Sequence, residues 1–176
     1  MNFRILSEAD KIIFEKEMIE MLIESDKDFV PPLSSRASTL DKGFSADKKR
    51  GGVESYFSEM RKQQILAAFD EGEFIGFVSF RENFTSEEIK EKDLPNIYVS
   101  TLVLSKKSRG KGVTKKMYSY LFEELYSASN IFTRTWSTNI AHTKILSGFG
   151  FSELLRKEND RGEGIDTVYY KKEKSI

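Results

Sequence analysis

Arg109-Gly110-Lys111-Gly112-Val113-Thr114 stands between two runs of different period. Before it, Ile97–Leu104 is rich in β-branched and apolar residues, the pattern of a buried strand. After it, Val113 to Tyr126 repeats apolar residues with the helical period. Glycines at a strand-to-helix junction let successive backbone N–H groups point outward together, and the helix macrodipole adds partial positive charge at the same place. Arg109 and Lys111 add whole charges. The chemistry that such a turn offers is the binding of phosphate or pyrophosphate. The same residues also fit a plain basic turn between two elements.

The rest of the chain supplies the elements that must hold this turn. Asn2–Leu6 reads as a short first strand. Ser7-Glu8-Ala9-Asp10 is a capping-box variant with Asp in place of the usual Glu or Gln, and one helix is expected from it to about Ser25. Phe14, Met18, Met21 and Leu22 give that helix an apolar stripe. Ile12, Ile19 and Ile23 widen the stripe, so the helix is expected to be well buried. Asp26 to Gly52 holds Pro31-Pro32, Gly43 and Lys48-Lys49-Arg50-Gly51-Gly52, which is loop chemistry with a short helix inside. A loop of that length is either functional or a solvated connection; the Lys48-Lys49-Arg50 run reads as solvated. Val53 to Gln63 is helical, with Tyr56, Phe57 and Met60 on its apolar face. Gln64–Phe69 and Phe74–Arg81 form a hairpin around Asp70-Glu71-Gly72-Glu73.

Downstream, Thr85–Leu94 is a polar, acidic connection before the Ile97–Leu104 strand. On the helix after the Gly turn, Val113, Met117, Leu121 and Leu125 repeat at i+4, and Tyr118, Phe122 and Tyr126 extend that face. Ile131–Trp136 is a further strand. Asn139 caps a short helix that runs to about Gly148, and Gly150-Phe151 is a helix stop followed by a core anchor. Phe151–Glu158 and Ile165–Lys172 make a final strand pair. The order β-α-α-β-β-β-α-β-α-β-β describes a mixed α/β sheet with helices on it, in a single domain over residues 1–176.

Composition narrows the chemistry. With 28 basic and 28 acidic residues the net charge is zero, so neither nucleic acid nor an anionic membrane is expected as a partner, and any anion site is local. The absence of cysteine excludes disulfides, thiolate catalysis and cysteine metal sites, and a single histidine, His142, excludes a multi-histidine metal site. No apolar run approaches the roughly 20 residues that span a bilayer, and Met1–Lys11 lacks a signal-peptide pattern, so a cytoplasmic protein is expected.

Two stretches and the element order together resemble the GCN5-related N-acetyltransferase (GNAT) superfamily. Its signature Q/R-x-x-G-x-G/A aligns with Arg109, Gly112 and Thr114, after a strand that ends in Leu102-Val103-Leu104. Its later motif N-x-x-A/S-x-x-x-Y-x-x-x-G-F aligns with Asn139, His142, Leu146, Gly150 and Phe151. The resemblance covers nearly the whole chain. It implies the GNAT fold and an N-acetyltransferase that uses acetyl-CoA as co-substrate, with direct attack by an amine. The backbone of Leu102, Val103 and Leu104 would pair with the pantetheine arm, as an added strand does. Backbone N–H groups of Arg109, Gly110, Lys111, Gly112, Val113 and Thr114 would hold the pyrophosphate. Asn139 would contact the pantetheine from the neighbouring strand, with His142 on the cofactor side of its helix. Those two strands would splay apart around the thioester.

The chain departs from the family pattern at three places. Thr114 stands where the signature has Gly or Ala. Leu146 stands where many members place a Tyr that protonates the leaving thiolate. Ser100 and Thr101 stand where many members carry a catalytic carboxylate; with Ser137 they are the candidate catalytic residues, the alternative being an acidic loop residue such as Glu87 or Glu88. Arg36 and Trp136 are candidates for the acceptor pocket. His142 fits a cofactor contact, a catalytic base, or local packing or capping, the last being the usual place of a lone histidine without a visible partner. The expected acceptor is an amine of a small molecule or a protein, and the last strand pair suits a homodimer contact. A second reading is an acyl-CoA-binding protein with little or no catalysis, motivated by Leu146, Ser100 and Thr101. A third is another phosphorylated ligand on the same turn.

Overall fold

A computed structural model of the protein describes residues 1–36, 52–127 and 129–174. Seven strands form one sheet: β1 (Asn2–Ile5), β2 (Gln64–Asp70), β3 (Glu73–Glu82), β4 (Asn96–Leu104), β5 (Asn130–Trp136), β6 (Ser152–Lys157) and β7 (Thr167–Lys172). Their spatial order is β1-β2-β3-β4-β5-β7-β6. Every neighbouring pair is antiparallel except β4 and β5, which run parallel.

Among the described residues, helices cover both faces of the sheet. One face carries α2 (Glu15–Ser25) and α3 (Gly52–Met60), whose Met18, Leu22, Tyr56 and Met60 pack on Phe77 and Val103. The other carries α4 (Val113–Ser119) and α5 (Ile140–Gly148), whose Met117, Tyr118 and Leu146 pack on Val78, Phe80 and Val99. Phe151 anchors the same core, as expected. The run Lys48-Lys49-Arg50 lies outside the described residues.

The capping box is present: Asp10 N donates to Ser7 Oγ at 3.1 Å, and Ser7 N donates to Asp10 Oδ2 at 3.0 Å. The helix that it starts is shorter than expected. It ends at Ile13 as α1 (Glu8–Ile13), and Phe14, at φ −97° and ψ 12°, separates it from α2. Phe14 leaves the helical conformation with its ring against Phe69 and Phe74, at 5.4 and 5.2 Å. The stripe Met18, Met21 and Leu22 is buried and Ile19 packs against the same core, but Ile12 and Ile23 are 66 and 54% exposed and do not widen it. The expected helix over Val113–Tyr126 also changes character, because Tyr120–Leu125 is a π turn closed by Tyr126 N to Leu121 O at 3.0 Å. The extra residue per turn rotates the face, so Leu125 is exposed and Tyr126 packs edge-on to Phe80 at 5.4 Å.

The feature that matters most is where β4 and β5 part. Their ladder runs only from Asn96↔Asn130 to Val99↔Thr133. At the fork, Thr133 Oγ1 donates to Val99 O at 3.1 Å, so a side chain takes the place of the next ladder bond. On its other side β4 carries a bulge: Ser79 pairs with Thr101 and Phe80 with Val99, leaving Ser100 as the extra residue. A bulge bends and twists its strand, and here it turns Ser100–Leu104 away from β5. The open half of β4 is held by β3 alone. Gly76 makes that hold close, since a Cβ there would stand 2.4 Å from Leu104 Cδ2 and 2.7 Å from Val103 O.

Candidate active site

Two adjoining cavities fill the fork. The inner one, of about 230 Å³, lies between Val99–Leu102 and Thr133–Trp136 and is closed by Thr114, Tyr118, Asn139 and His142. The outer one, of about 690 Å³, follows Leu102–Leu104 to Gly110, Gly112 and Thr114 and reaches Ser25 and Asp28. Leu102, Thr114, Trp136 and Asn139 line both, so the two form one cleft.

The open half of β4 presents backbone to this cleft. Ser105 N donates to Ile75 O at 3.0 Å, which fixes the phase of the antiparallel ladder. By alternation Val103 and Thr101 bond to β3, and the N–H and C=O groups of Leu102 and Leu104 turn outward. Past the strand, Gly110 and Gly112 both have positive φ, 72° and 75°, and Gly112 caps α4. A left-handed residue before a helix start turns neighbouring N–H groups to one side, which makes an anion cradle. A Cβ at either glycine would meet nothing within 4 Å, so the space beside the turn is open.

Two charged residues of this turn behave differently. Arg109 lines the outer cavity, but its guanidinium is engaged within the protein. Its Nη1 donates to Asp28 Oδ2 at 2.7 Å, its Nη2 to Ser25 Oγ at 2.8 Å and its Nε to the outward-facing Leu104 O at 3.2 Å. It therefore fastens the turn to the end of α2. Lys111 is exposed at the tip of the turn, and Val113 is buried.

Asn139 caps α5 as expected, accepting from His142 N at 3.3 Å, while its Nδ2 donates to Thr135 Oγ1 at 3.0 Å. His142 lies on the cleft side of α5, and its Nε2 is 2.8 Å from Tyr118 Oη. Burial pushes the imidazole down to about 4, so it is neutral at physiological pH. Burial also pushes the Tyr118 phenol well above its ordinary value. Leu146 is fully buried in the core beneath α5 and lines neither cavity.

The candidate catalytic residues divide. Ser100, at the bulge, lines the inner cavity with its Oγ buried and, among the described residues, without a hydrogen-bond partner. Thr101 lines it too, but its Oγ1 is 2.7 Å from Tyr56 Oη. Ser137 accepts from Asp166 N at 3.0 Å and lines neither cavity. Glu88 is set apart from the cleft: Lys157 Nζ donates to its Oε1 at 2.6 Å. Burial alone would raise its pKa, but hydrogen bonds from Lys157 and Ser86 hold the carboxyl down to about 2. A carboxylate so poorly basic is no general base at neutral pH.

At the far mouth, Trp136 lines both cavities between Phe29 at 5.7 Å and the Arg161 guanidinium at 5.7 Å. Arg36 is buried, with its guanidinium on the carbonyls of Pro31 (2.8 Å) and Val30 (3.2 Å) and over the Phe29 ring. Arg161 Nη1 reaches the same Val30 O at 2.6 Å. Burial, and then the charges of Arg36 and Arg134, push Arg161 down to about 9. Sequence reasoning missed Tyr118, Arg134 and Arg161 as site residues. Tyr118 carried a signal, since i+4 from Thr114 puts it on the face that lines the cleft, and so did Arg134, which strand alternation puts on the face of Trp136. Arg161, in the turn before β7, carried none.

A parallel pair forked beside a glycine turn leaves an open strand edge that leads to a backbone anion cradle. The profile of the acetyltransferase (GNAT) family matches residues 33–151, and the chain belongs to that family. The family assigns the expected activity, N-acetyl transfer with acetyl-CoA as co-substrate. Solved structures share the fold across almost the whole chain. A ribosomal-protein-alanine N-acetyltransferase from Brucella melitensis is 14% identical, with 98% of this chain and 99% of that one covered and a TM-score of 0.66. The aminoglycoside 6'-N-acetyltransferase from Enterococcus faecium is 12% identical, covers 98% and 96%, and gives 0.66. The putative acetyltransferase yncA from Salmonella typhimurium, solved with its cofactor acetyl-CoA, is 14% identical, covers 100% and 95%, and gives 0.64. No curated protein sequence matches the chain. Among the described residues no cluster of side chains suits a metal ion, and no helix is long and apolar enough to cross a membrane.

Proposed function

We propose that acetyl-CoA lies in the cleft with its pyrophosphate on the backbone of residues 109–114 and its pantetheine along Leu102–Leu104. The observation that carries this is the outward-turned backbone of Leu102 and the outward-turned N–H of Leu104, which a pantetheine amide can pair with as a strand would, the Leu104 carbonyl already accepting from Arg109 Nε. The thioester then reaches the inner cavity beside Ser100. A neutral amine entering past Phe29 and Trp136 attacks the carbonyl carbon directly. The Leu102 N–H meets the developing oxyanion, a stabilisation that needs no special side chain. Ser100 Oγ positions the water that takes the amine's proton. Holding both reactants in the fork supplies much of the remaining acceleration.

The acceptor is an amine of a small molecule or of a protein. The exposed strand β6 at the sheet edge offers a surface for pairing two copies, and a cysteine-free chain that uses acetyl-CoA fits the cytoplasm. A second reading, binding without turnover, is favoured by one observation: among the described residues lining the inner cavity there is no carboxylate.

Calorimetry with acetyl-CoA, CoA and ADP, each against the parent protein and Gly112→Glu, tests the cofactor. Saturable binding of acetyl-CoA that needs the pantetheine arm and is lost in Gly112→Glu supports the proposal. Equal binding of ADP alone overturns it. Thiol release across an amine panel then separates catalysis from storage: the absence of release with every amine would leave the second reading standing.

A further inference from the structure

The position at which the family pattern places an acidic Tyr is occupied by Leu146, which is fully buried and cannot donate a proton. A hydroxyl nevertheless reaches the inner cavity from a different element. Tyr118 stands on α4, i+4 from Thr114, with its ring stacked on Phe122 at 4.6 Å and edge-on to Phe149 at 6.1 Å. Those contacts fix the ring, and both Tyr118 and His142 line the cavity. His142 itself stands where the pattern has Ala or Ser. The two departures meet, Oη to Nε2, at 2.8 Å.

We propose that Tyr118, oriented by His142, donates a hydrogen bond from its hydroxyl to the thioester sulfur and so stabilises the leaving thiolate. The inference rests on the placement of acetyl-CoA given above. The amine lone pair forms the new N–C bond, the C–S bond breaks, and its electron pair stays on sulfur. The nitrogen loses its proton to water, so amide, thiolate and one proton leave the site. Tyr118 keeps its own hydrogen throughout, because its buried phenol is a far weaker acid than a thiol; it acts as a hydrogen-bond donor to the anion. The neutral imidazole has one hydrogen to place. On Nε2, that hydrogen occupies the Tyr118 oxygen and leaves the hydroxyl hydrogen for sulfur. His142 is thus a positioning residue.

The test reads sulfur directly and needs no acceptor. CoA bound to the full chain is titrated by the ultraviolet absorbance of its thiolate, as a difference from the desulfo-CoA complex, in the parent protein, Tyr118→Phe, His142→Ala and His142→Gln. Phe keeps the ring and removes only the donor. The bound thiol is expected to titrate about one pH unit higher in Tyr118→Phe, about tenfold less thiolate, while desulfo-CoA affinity stays within about twofold. His142→Ala shifts the thiol in the same direction by less, and His142→Gln, which can still donate, restores most of it. Arg134 also lines this cavity, and its charge favours thiolate in every variant, so it cancels from the comparison. An unmoved thiol in Tyr118→Phe, or an equal loss of desulfo-CoA affinity, overturns the inference. If the Phe variant does not fold, the His142 pair decides: no shift in Ala, or no rescue by Gln, overturns it. Failure of the parent protein to bind either CoA or desulfo-CoA would instead sink the cofactor reading itself.

Discussion

The two ends of the cleft are built from different material. The proposed cofactor end is contiguous backbone, the open edge of β4 and the turn that follows it, within residues 100–114. The proposed acceptor end is side chains gathered from distant places: Phe29 from the segment after α2 and Trp136 from the end of β5 line the cleft, and Arg36 and Arg161 pack behind them, lining neither cavity. A backbone site tolerates almost any side chain that leaves the strand and the turn intact. A side-chain site is redefined by each substitution. One fold can thus keep its acyl donor while it changes its acceptor.

The sharpest way to break this contrast is at the cradle. Gly112→Glu imposes a side chain on a left-handed residue and a negative charge on the anion site, and should weaken acetyl-CoA binding about a hundredfold or more in calorimetry. A loss below about tenfold would mean that the turn does not carry the pyrophosphate. At the other end, Trp136→Ala should raise the acceptor KM about tenfold and leave acetyl-CoA affinity within about threefold, read by steady-state kinetics on an acceptor from the amine panel. A cofactor effect as large as the acceptor effect would erase the distinction.

Within the turn, Arg109→Ala removes three hydrogen bonds and should cost about 1–2 kcal/mol in denaturant unfolding, with Arg109→Lys restoring little because a point charge does not replace the fork. Lys111→Ala should leave stability unchanged and weaken acetyl-CoA binding about threefold at low salt, an effect that disappears as ionic strength rises.

The smallest effect is expected in acid. The His142 imidazole is lowered from 6.5 to about 4 by burial, so between those values the unfolded chain binds a proton that the folded chain does not. Stability should fall as pH drops through that window, and His142→Gln should flatten the fall in thermal melts. Glu88, held at about 2 against an ordinary 4.5, adds a second loss lower down, as pH falls through its own window. Identical melts for the parent and His142→Gln between pH 6.5 and 4 would show that the imidazole is hydrated.

The same contrast explains what the sequence made legible. The proposed cofactor end is local in sequence, so the strand, the glycine turn and the helix that build it were legible from a strand pattern, two glycines and a helix period. Asn139 as a cap and the Asp70–Glu73 turn were legible for the same reason. What failed depended on tertiary packing. The break at Phe14 follows from its ring being drawn onto Phe69 and Phe74, contacts that helical periodicity does not contain. The π turn at Tyr120–Leu125 shifts the apolar face by one residue, and no residue in that run announces it. Arg109 counted as a cradle charge because the motif is basic, yet its partners, Ser25 and Asp28, lie more than eighty positions earlier. The surroundings of Trp136 were least legible, because the turn that brings Arg161 over its ring has no pattern that points there.

The open half of β4 has one more consequence, on the timescale of isotope exchange. Strand amides bonded on their ladder exchange with solvent deuterium only through opening, whereas amides turned to an open edge exchange much as free peptide does. Thr101 and Val103 should therefore label slowly and Leu102 and Leu104 quickly, an alternation along a single central strand. A ligand that completes the edge as a strand would slow Leu102 and Leu104 and leave their neighbours unchanged. The strand itself then reports occupancy amide by amide, before any acceptor is known.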